Sequence, residues 1–191
     1  MPATSAPSTR ARALSEAEIL AAALEIIEQD GIDGLTMRRL STHLGVALGA
    51  TYHHVKNKHA LLALVAHSLF ARVEIPQLDD PRDWSVQVRD VLLSLTDVFT
   101  GQAELAAWIL ANFEDAAPSE IMIRMRGMLA DAGFDADATE DALNPLFFYI
   151  AGTLVAGFTT LADPRLMPEL RRSFERGLDI ILSGIRAELQ P

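Results

Sequence analysis

The stretch that decides the fold is LTMRRLSTHLGVALGATYHHVKNK, from Leu35 to Lys58. Thr36 is an N-cap residue for one short helix. Gly45 ends that helix at a point where the chain needs a positive φ, which costs least at glycine. A second short helix follows over roughly Leu48 to His54, and Lys56-Asn57-Lys58 breaks it. Two short helices joined by a tight turn, the second too short to be stable alone, are typical of a helix-turn-helix that presents its second helix to the DNA major groove.

A capped helix precedes this motif. Ser15-Glu16-Ala17-Glu18 forms a capping box, and the apolar residues after it follow helical spacing until Gly31 ends the helix. A fourth helix carries Leu61, Leu62 and Val65 on one face. The sequence therefore predicts an N-terminal three-helix domain with the helix-turn-helix at its centre.

The remainder of the chain is also predicted to be helical. Apolar residues follow helical spacing in five further segments, and no segment resembles a strand. These segments are Trp84 to Gly101, Leu105 to Phe113, Ser119 to Gly133, a helix from about Asp137 with a possible kink at Pro145, and Leu170 to Leu189. We predict an all-α protein of about nine helices: a disordered arm over 1–14, a DNA-binding domain over 15–58, and a helical bundle for ligand binding and dimerisation over 59–191.

Charge is distributed unevenly along the chain. The net charge is −10, yet residues 1–58 sum to zero and residues 34–58 contain no Asp or Glu. The only two lysines, Lys56 and Lys58, lie in that acid-free stretch. A phosphate-facing surface needs a local absence of acids rather than a basic protein, so the charge pattern permits nucleic-acid binding.

Two further features bear on location. The chain has no cysteine, and its N-terminus lacks an apolar leader, which favours a cytoplasmic protein. The run from Ala142 to Ala162 has no charge and is long enough to span a bilayer. It contains Pro145 and several polar residues, so burial between the domain and a partner is favoured over a membrane span.

The motif residues resemble the TetR family of bacterial repressors. The resemblance rests on Gly31, Leu35-Thr36, Leu44-Gly45-Val46, Thr51-Tyr52, the run from His54 to Lys58, and Ala60-Leu61-Leu62. It covers about a quarter of the chain in side-chain detail, and elsewhere only length and helical character match. Ser41 stands where the family often has alanine, and Leu48 and Ala50 are apolar where polar base-reading residues are common.

The resemblance implies a set of DNA-binding residues on the two short helices and just after them. Leu48 to Thr51 occupy the start of the recognition helix, where bases are read, while Arg38, Tyr52, His54 and Lys58 match positions that contact bases or backbone. The full set is Thr36, Arg38, Arg39, Leu48, Gly49, Ala50, Thr51, Tyr52, His53, His54, Lys56 and Lys58.

Other interpretations of these residues remain open. The Tyr52 ring is equally consistent with core packing, and Arg38 and Arg39 with simple solvation. A metal pair at His53 and His54 is disfavoured, because adjacent helical residues point in different directions. Arg10 and Arg12 in the arm are consistent with minor-groove contact, although disorder is the favoured interpretation.

The family also implies a ligand pocket and a homodimer formed by its last two helices. Candidates for the pocket lining form an aromatic and methionine set, although for any one of them ordinary core is the favoured interpretation: Phe99, Trp108, Phe113, Met122, Met125, Phe147 and Phe148. A patch of small residues permits close helix approach, and larger apolar residues complete the expected dimer interface: Gly152, Ala156, Gly157, Leu178, Ile181 and Ile185.

We therefore expect a homodimeric, ligand-responsive regulator, a repressor that a small apolar or aromatic effector releases from a palindromic operator in double-stranded DNA. The alternative is an all-helical ligand-binding or scaffold protein without DNA binding. The sequence holds no Ser-His-Asp arrangement, metal-spaced ligand cluster or phosphate loop, so we expect no enzyme activity, catalytic residue, metal or cofactor.

Overall fold

The structure is a computed structural model that describes residues 14–112, 119–157 and 167–188. Within those ranges nine α-helices are present and no strand, as the sequence predicts. Contacts divide the chain into two compact units between Leu61 and Leu62, a point that falls inside the fourth helix. We call the first unit the head and the second the body.

The head contains α1 (Glu16–Gly34), α2 (Met37–Leu44), α3 (Leu48–His54) and the start of α4 (Lys58–Phe70). The predicted capping box is present: the Glu18 amide donates to Ser15 Oγ at 3.3 Å, and the Ser15 amide donates to Glu18 Oε2 at 3.0 Å. The apolar face of α1 is buried and supplies much of the core of the head, as do Leu35, Met37 and Leu40.

The end of α1 differs from the prediction. The backbone leaves helical geometry at Gly31, which has φ 71° and ψ −179°, but one more turn follows to Gly34. That turn closes where the Leu35 amide donates to the Ile32 carbonyl at 3.1 Å. Gly31 therefore marks a kink in the helix rather than its end.

The body contains α5 (Trp84–Phe99), α6 (Ala103–Ala111), α7 (Ser119–Asp131), α8 (Ala136–Gly152) and α9 (Met167–Glu188), with a π-helical turn at Thr153–Gly157. Asp83 caps α5 and Asp135 caps α8, each accepting a backbone amide of the first turn at 2.9 Å. α8 runs through Pro145. In the body, α5 packs against α7 and α9, and α8 packs against α7 and α9.

Among the described residues, no helix combines the length and apolarity that crossing a bilayer requires.

Candidate nucleic-acid interface and ligand cavity

The turn between α2 and α3 has the geometry that its sequence predicts. Gly45 is left-handed, with φ 65° and ψ 30°, and its amide donates to the Thr42 carbonyl at 3.2 Å. Thr36 caps the other end of α2, where its hydroxyl accepts the Arg39 amide at 3.1 Å. The backbone therefore closes α2 at both ends and turns directly into α3.

Two buried hydroxyls join α2 to α3. Ser41 Oγ lies 3.0 Å from Thr51 Oγ1, and the residues are 4% and 0% exposed. Ser41 also donates to the Met37 carbonyl, and Thr51 to the Leu48 carbonyl, each at 2.7 Å. α3 has only seven residues and no side-chain N-cap, so its position depends on such contacts with its neighbour.

The structure differs here from the expectation that Thr51 is exposed. Its side chain is buried and faces α2 rather than solvent, where it helps to position α3. It also gives Ser41 a structural function that alanine at this position would lack.

Most of the predicted DNA-binding residues are exposed. Leu48 is 43% and Tyr52 48% exposed, while Ala50 and Lys58 are half-buried. The remaining exposed members of the set are Thr36, Arg38, Arg39, Gly49, His53, His54 and Lys56. Of the two interpretations of the Tyr52 ring, this exposure favours a surface position over core packing.

The cations of the head differ in their partners. Arg39 forms an ion pair with Asp30 of α1, and His43 Nε2 lies 2.9 Å from Glu25 Oε2. Among the described residues, Arg38, Lys56 and Lys58 have no ion-pair partner. Lys58 is the first residue of α4, where a positive charge opposes the helix dipole. These three cations are therefore available to an anionic partner, whereas Arg39 must exchange Asp30 for one.

The body encloses an apolar cavity of about 80 Å³. Four of the predicted pocket residues line it: Phe99, Met122, Met125 and Phe147. The other described residues that line it are also apolar, and the sequence singled out none of them as pocket lining: Phe70, Leu92, Leu95, Ala106, Ile109, Leu110, Ile121, Leu143, Ile150, Ala151 and Leu154.

Two predicted pocket residues do not line this cavity. Phe148 is 71% exposed because it lies on the outer side of α8, and Trp108 is half-buried on α6 outside the lining. Neither residue therefore contributes to the cavity that the described residues form. Phe113 lies outside the described residues.

α8 and α9 each carry exposed apolar residues, and we call these together the outer face of the two helices. Phe148 and Gly152 are exposed on α8, with Val155 36% exposed just beyond it, and Ile180 is 64% exposed on α9. Leu178 and Ile185, predicted for the dimer interface, are only 0% and 7% exposed because they pack into the core of their own protomer. Their assignment is corrected.

Of the other predicted interface residues, Ile181 is half-buried, and the side chains of Ala156 and Gly157 lie outside the described residues.

A close contact holds α8 against α9. The Tyr149 ring stacks on Phe174 with centroids 5.3 Å apart, and its hydroxyl donates to the Phe174 carbonyl at 3.0 Å. Burial raises the pKa of the Tyr149 hydroxyl. A Cβ atom at Gly177 would collide with that hydroxyl, so glycine permits the approach of the two helices.

Ion pairs connect α5 to α9. Arg171 pairs with Asp97, and Arg89 Nε donates to Asp179 Oδ1 at 2.8 Å. Arg186 pairs with Asp83 and lies 5.6 Å above the Trp84 ring. The hydrogen bond from the Ser85 hydroxyl, together with Arg186, holds the pKa of Asp83 below its ordinary value. These contacts fix α5, which supplies one wall of the cavity.

Comparison with known proteins agrees with this arrangement. Residues 19–65 match the sequence family described as bacterial regulatory proteins, tetR family. The tetracycline repressor protein class A from transposon 1721 of Escherichia coli is 32% identical over 87% of this chain and 88% of that protein.

Solved structures are similar over most of the chain. The BioQ structure with its natural double-stranded DNA operator has a TM-score of 0.71 and 26% identity, covering 91% of this chain and 99% of that one. A TetR variant from Acinetobacter baumannii AYE in complex with minocycline has a TM-score of 0.75 and 25% identity, covering 93% and 99% of the two chains.

Proposed function

The chain belongs to the TetR family of bacterial regulatory proteins, and we propose that it is a homodimeric repressor whose operator binding is released by a compact apolar or aromatic effector. Because the members of this family are regulatory proteins, the chain is a regulator rather than an enzyme. The observation that carries the proposal is the exposed surface of α2 and α3 in the head, which we call acid-free because neither helix contributes a carboxylate, although Asp30 and Glu25 of α1 contact Arg39 and His43.

Charge supports DNA as the partner of that surface. Residues 34–58 contain no carboxylate, although the whole chain carries a net charge of −10. Arg38, Lys56 and Lys58 have no ion-pair partner among the described residues, so phosphate contact breaks no existing ion pair. Favourable phosphate contact depends on this local charge, because interactions with more distant exposed charges are screened by salt.

The outer face of α8 and α9 supports a homodimer. Phe148, Val155 and Ile180 expose apolar surface there, and Gly152 allows close approach of a second helix. A twofold dimer uses the same patch on both subunits and matches a palindromic operator. We assign the interface to these residues in place of Leu178 and Ile185.

The cavity supports an uncharged effector. Among the described residues, all of the lining side chains are apolar, so a charged or strongly hydrogen-bonding ligand would lose its hydration without compensation from them. An engineered cavity of about 150 Å³ with similar lining binds benzene and xenon. The cavity of about 80 Å³ therefore suits a compact molecule and must expand for a larger one.

Selection of bound sequences from a random DNA pool by the full chain tests the DNA-binding part of the proposal. The expected product is an inverted repeat whose half-sites lie about 34–36 Å apart. In transcription reactions from a promoter carrying that site, a repressor lowers the transcript. A raised transcript would assign an activator, and an unenriched pool would favour a ligand-binding or scaffold protein.

Benzene tests the effector part as a minimal probe. We expect it to raise the thermal unfolding temperature and to weaken operator binding by the full chain. Ala106→Leu, which fills the cavity, abolishes both effects, whereas Ala107→Leu on the exposed side of α6 retains them. Equal responses of the two variants would place the effector site elsewhere.

A further inference from the structure

The outward side of α3 offers few side chains for reading bases. Thr51 is fully buried and Ala50 is half-buried, so neither presents a polar group to a ligand. The exposed residues of the first turn and a half are Leu48, Gly49 and Tyr52. Leu48 and Gly49 have no side-chain donor or acceptor, so neither can read a base edge by a side-chain hydrogen bond, and the Tyr52 hydroxyl is the one exposed polar group of this segment.

Leu48 and Tyr52 form one apolar ridge. They are four residues apart and therefore lie on the same face of the helix. They are 43% and 48% exposed, and in the described part of the head no other large apolar side chain is exposed. Both side chains therefore keep apolar surface in contact with water, which is unfavourable unless a binding partner covers it.

Gly49 adds an independent observation beside this ridge. A glycine inside a helix costs roughly 0.5–1 kcal/mol relative to alanine. Its backbone does not have a positive φ, and an added Cβ would meet nothing within 4 Å. The fold of the protomer therefore does not require glycine here. Its absent side chain is useful only to a surface that approaches the α3 backbone closely.

The major groove of DNA offers one apolar group to such a ridge. Each base pair presents hydrogen-bonding atoms there, but only thymine presents a methyl group, at C5. Because the acid-free surface fits a DNA partner, the groove chemistry that matches Leu48 is the thymine methyl. This step rests on the proposed function, and it assigns a readout that differs from hydrogen-bonding to base edges.

We infer that the recognition helix selects its operator through thymine methyl groups, with Leu48 as the specificity-determining side chain and Gly49 allowing the approach. Tyr52 extends the apolar contact by one turn. The operator half-site therefore contains at least one thymine whose methyl group packs against Leu48.

Deoxyuridine, which lacks only that methyl group, provides the probe. Each thymine of a selected operator is replaced in both half-sites, and affinity for the full chain is measured by fluorescence anisotropy. Burying one methyl group is worth about fourfold in affinity. Substitution at the contacted thymine of both half-sites is thus expected to weaken binding by about fifteenfold, and substitutions elsewhere by less than about twofold.

Leu48→Ala serves as the diagnostic variant, since Leu48 is exposed and its truncation leaves the core of the head intact. It is expected to bind thymine and uracil operators equally. Tyr52→Phe, which keeps the ring, retains the discrimination. If the chain binds DNA in a salt-sensitive manner but no uracil substitution changes its affinity, the inference is overturned while the proposed function stands. The same holds if Leu48→Ala still discriminates between thymine and uracil operators. Failure to bind any DNA overturns the proposed function as well.

Discussion

Ser41 and Thr51 share a hydrogen bond of 3.0 Å at the contact between α2 and α3, where both side chains are buried. Each hydroxyl also donates to a carbonyl of its own helix. Each hydroxyl carries a single proton, so the two protons cannot serve all three contacts at once. When one hydroxyl donates to the other, it gives up the bond to its own carbonyl. The pair fixes the rotation of α3 about its axis, and so determines that Leu48 and Tyr52 face outward.

A double-mutant cycle tests the coupling of this pair. Ser41→Ala and Thr51→Val each remove one hydroxyl with little change in volume, and each is expected to lower the free energy of unfolding by about 1 kcal/mol. The double variant is expected to cost less than the sum, since the second hydroxyl has already lost its partner. Urea unfolding of the four proteins measures this; strictly additive losses would show that the hydroxyls are not coupled.

Removing the charge of Lys58 is expected to weaken binding to all DNA sequences about equally. Lys58 has no ion-pair partner among the described residues and begins α4, so contact with phosphate is the favourable use of its charge. In Lys58→Ala the slope of log K against log salt is expected to fall by about two ions per dimer, one for each subunit.

Arg72→Ala is the matched control, because it removes an exposed cation of the body and leaves the slope unchanged. A loss confined to particular DNA sequences would show instead that Lys58 contacts bases.

A charge on the outer face of α9 is expected to separate the dimer. Ile180→Arg places an arginine in the proposed interface, whereas Ile123→Arg on α7 introduces the same change at a residue of nearly equal exposure, 65% against 64%. Sedimentation velocity is expected to give monomers for the first variant and dimers for the second.

Gly152→Leu gives an independent check of the same face. An added Cβ at Gly152 meets nothing within 4 Å among the described residues, and Gly152 is exposed, so the added side chain is directed at the proposed interface. Dimers that persist in both Gly152→Leu and Ile180→Arg would place the interface elsewhere.

The stabilising contribution of Asp83, which caps α5, is expected to be lost at acidic pH. Asp83→Ala lowers the free energy of unfolding by about 1 kcal/mol at pH 7. The pKa of Asp83 is lower in the folded state, so its ionised form stabilises the fold above its unfolded pKa and ceases to do so as pH falls through the folded value.

The difference between wild type and Asp83→Ala therefore shrinks below about pH 4. Asp83→Asn keeps an acceptor for the Ser85 amide but has no charge, so its capping is expected to be independent of pH. A constant difference between wild type and Asp83→Ala from pH 7 to pH 3, in thermal unfolding, would contradict this account.

Local features of the fold were predictable because short-range chemistry determines them. The capping box at Ser15, the cap at Thr36 and the left-handed Gly45 each follow from two to four adjacent residues. The bounds of α3, Leu48–His54, follow from the same signals.

The side of a helix that is buried was less predictable from sequence where the helix is short or carries apolar residues on several sides. The seven residues of α3 have no apolar period that identifies the buried side, so Thr51 was assigned to the wrong face. Apolar residues occur on more than one side of α9, and the sequence does not distinguish the stripe of Leu178 and Ile185, which meets the core, from Ile180, which is exposed.

The cavity could not be located from sequence, since a void depends on how several helices pack together. Phe70 and Leu92 lie in different helices and both line it, yet each follows ordinary core spacing. Thr51 carried a partial signal: a hydroxyl at a buried helix position needs a partner, and Ser41 is the polar residue of the facing helix that is also buried.

The central claim is that the acid-free surface of α2 and α3 binds double-stranded DNA. The most direct test is a footprint of the full chain on the DNA that flanks its own gene, repeated at increasing salt. The account predicts two protected half-sites about 34–36 Å apart, with affinity that falls steeply as salt rises. Absence of protection at low salt, on that DNA and on fragments from a random pool, would contradict it.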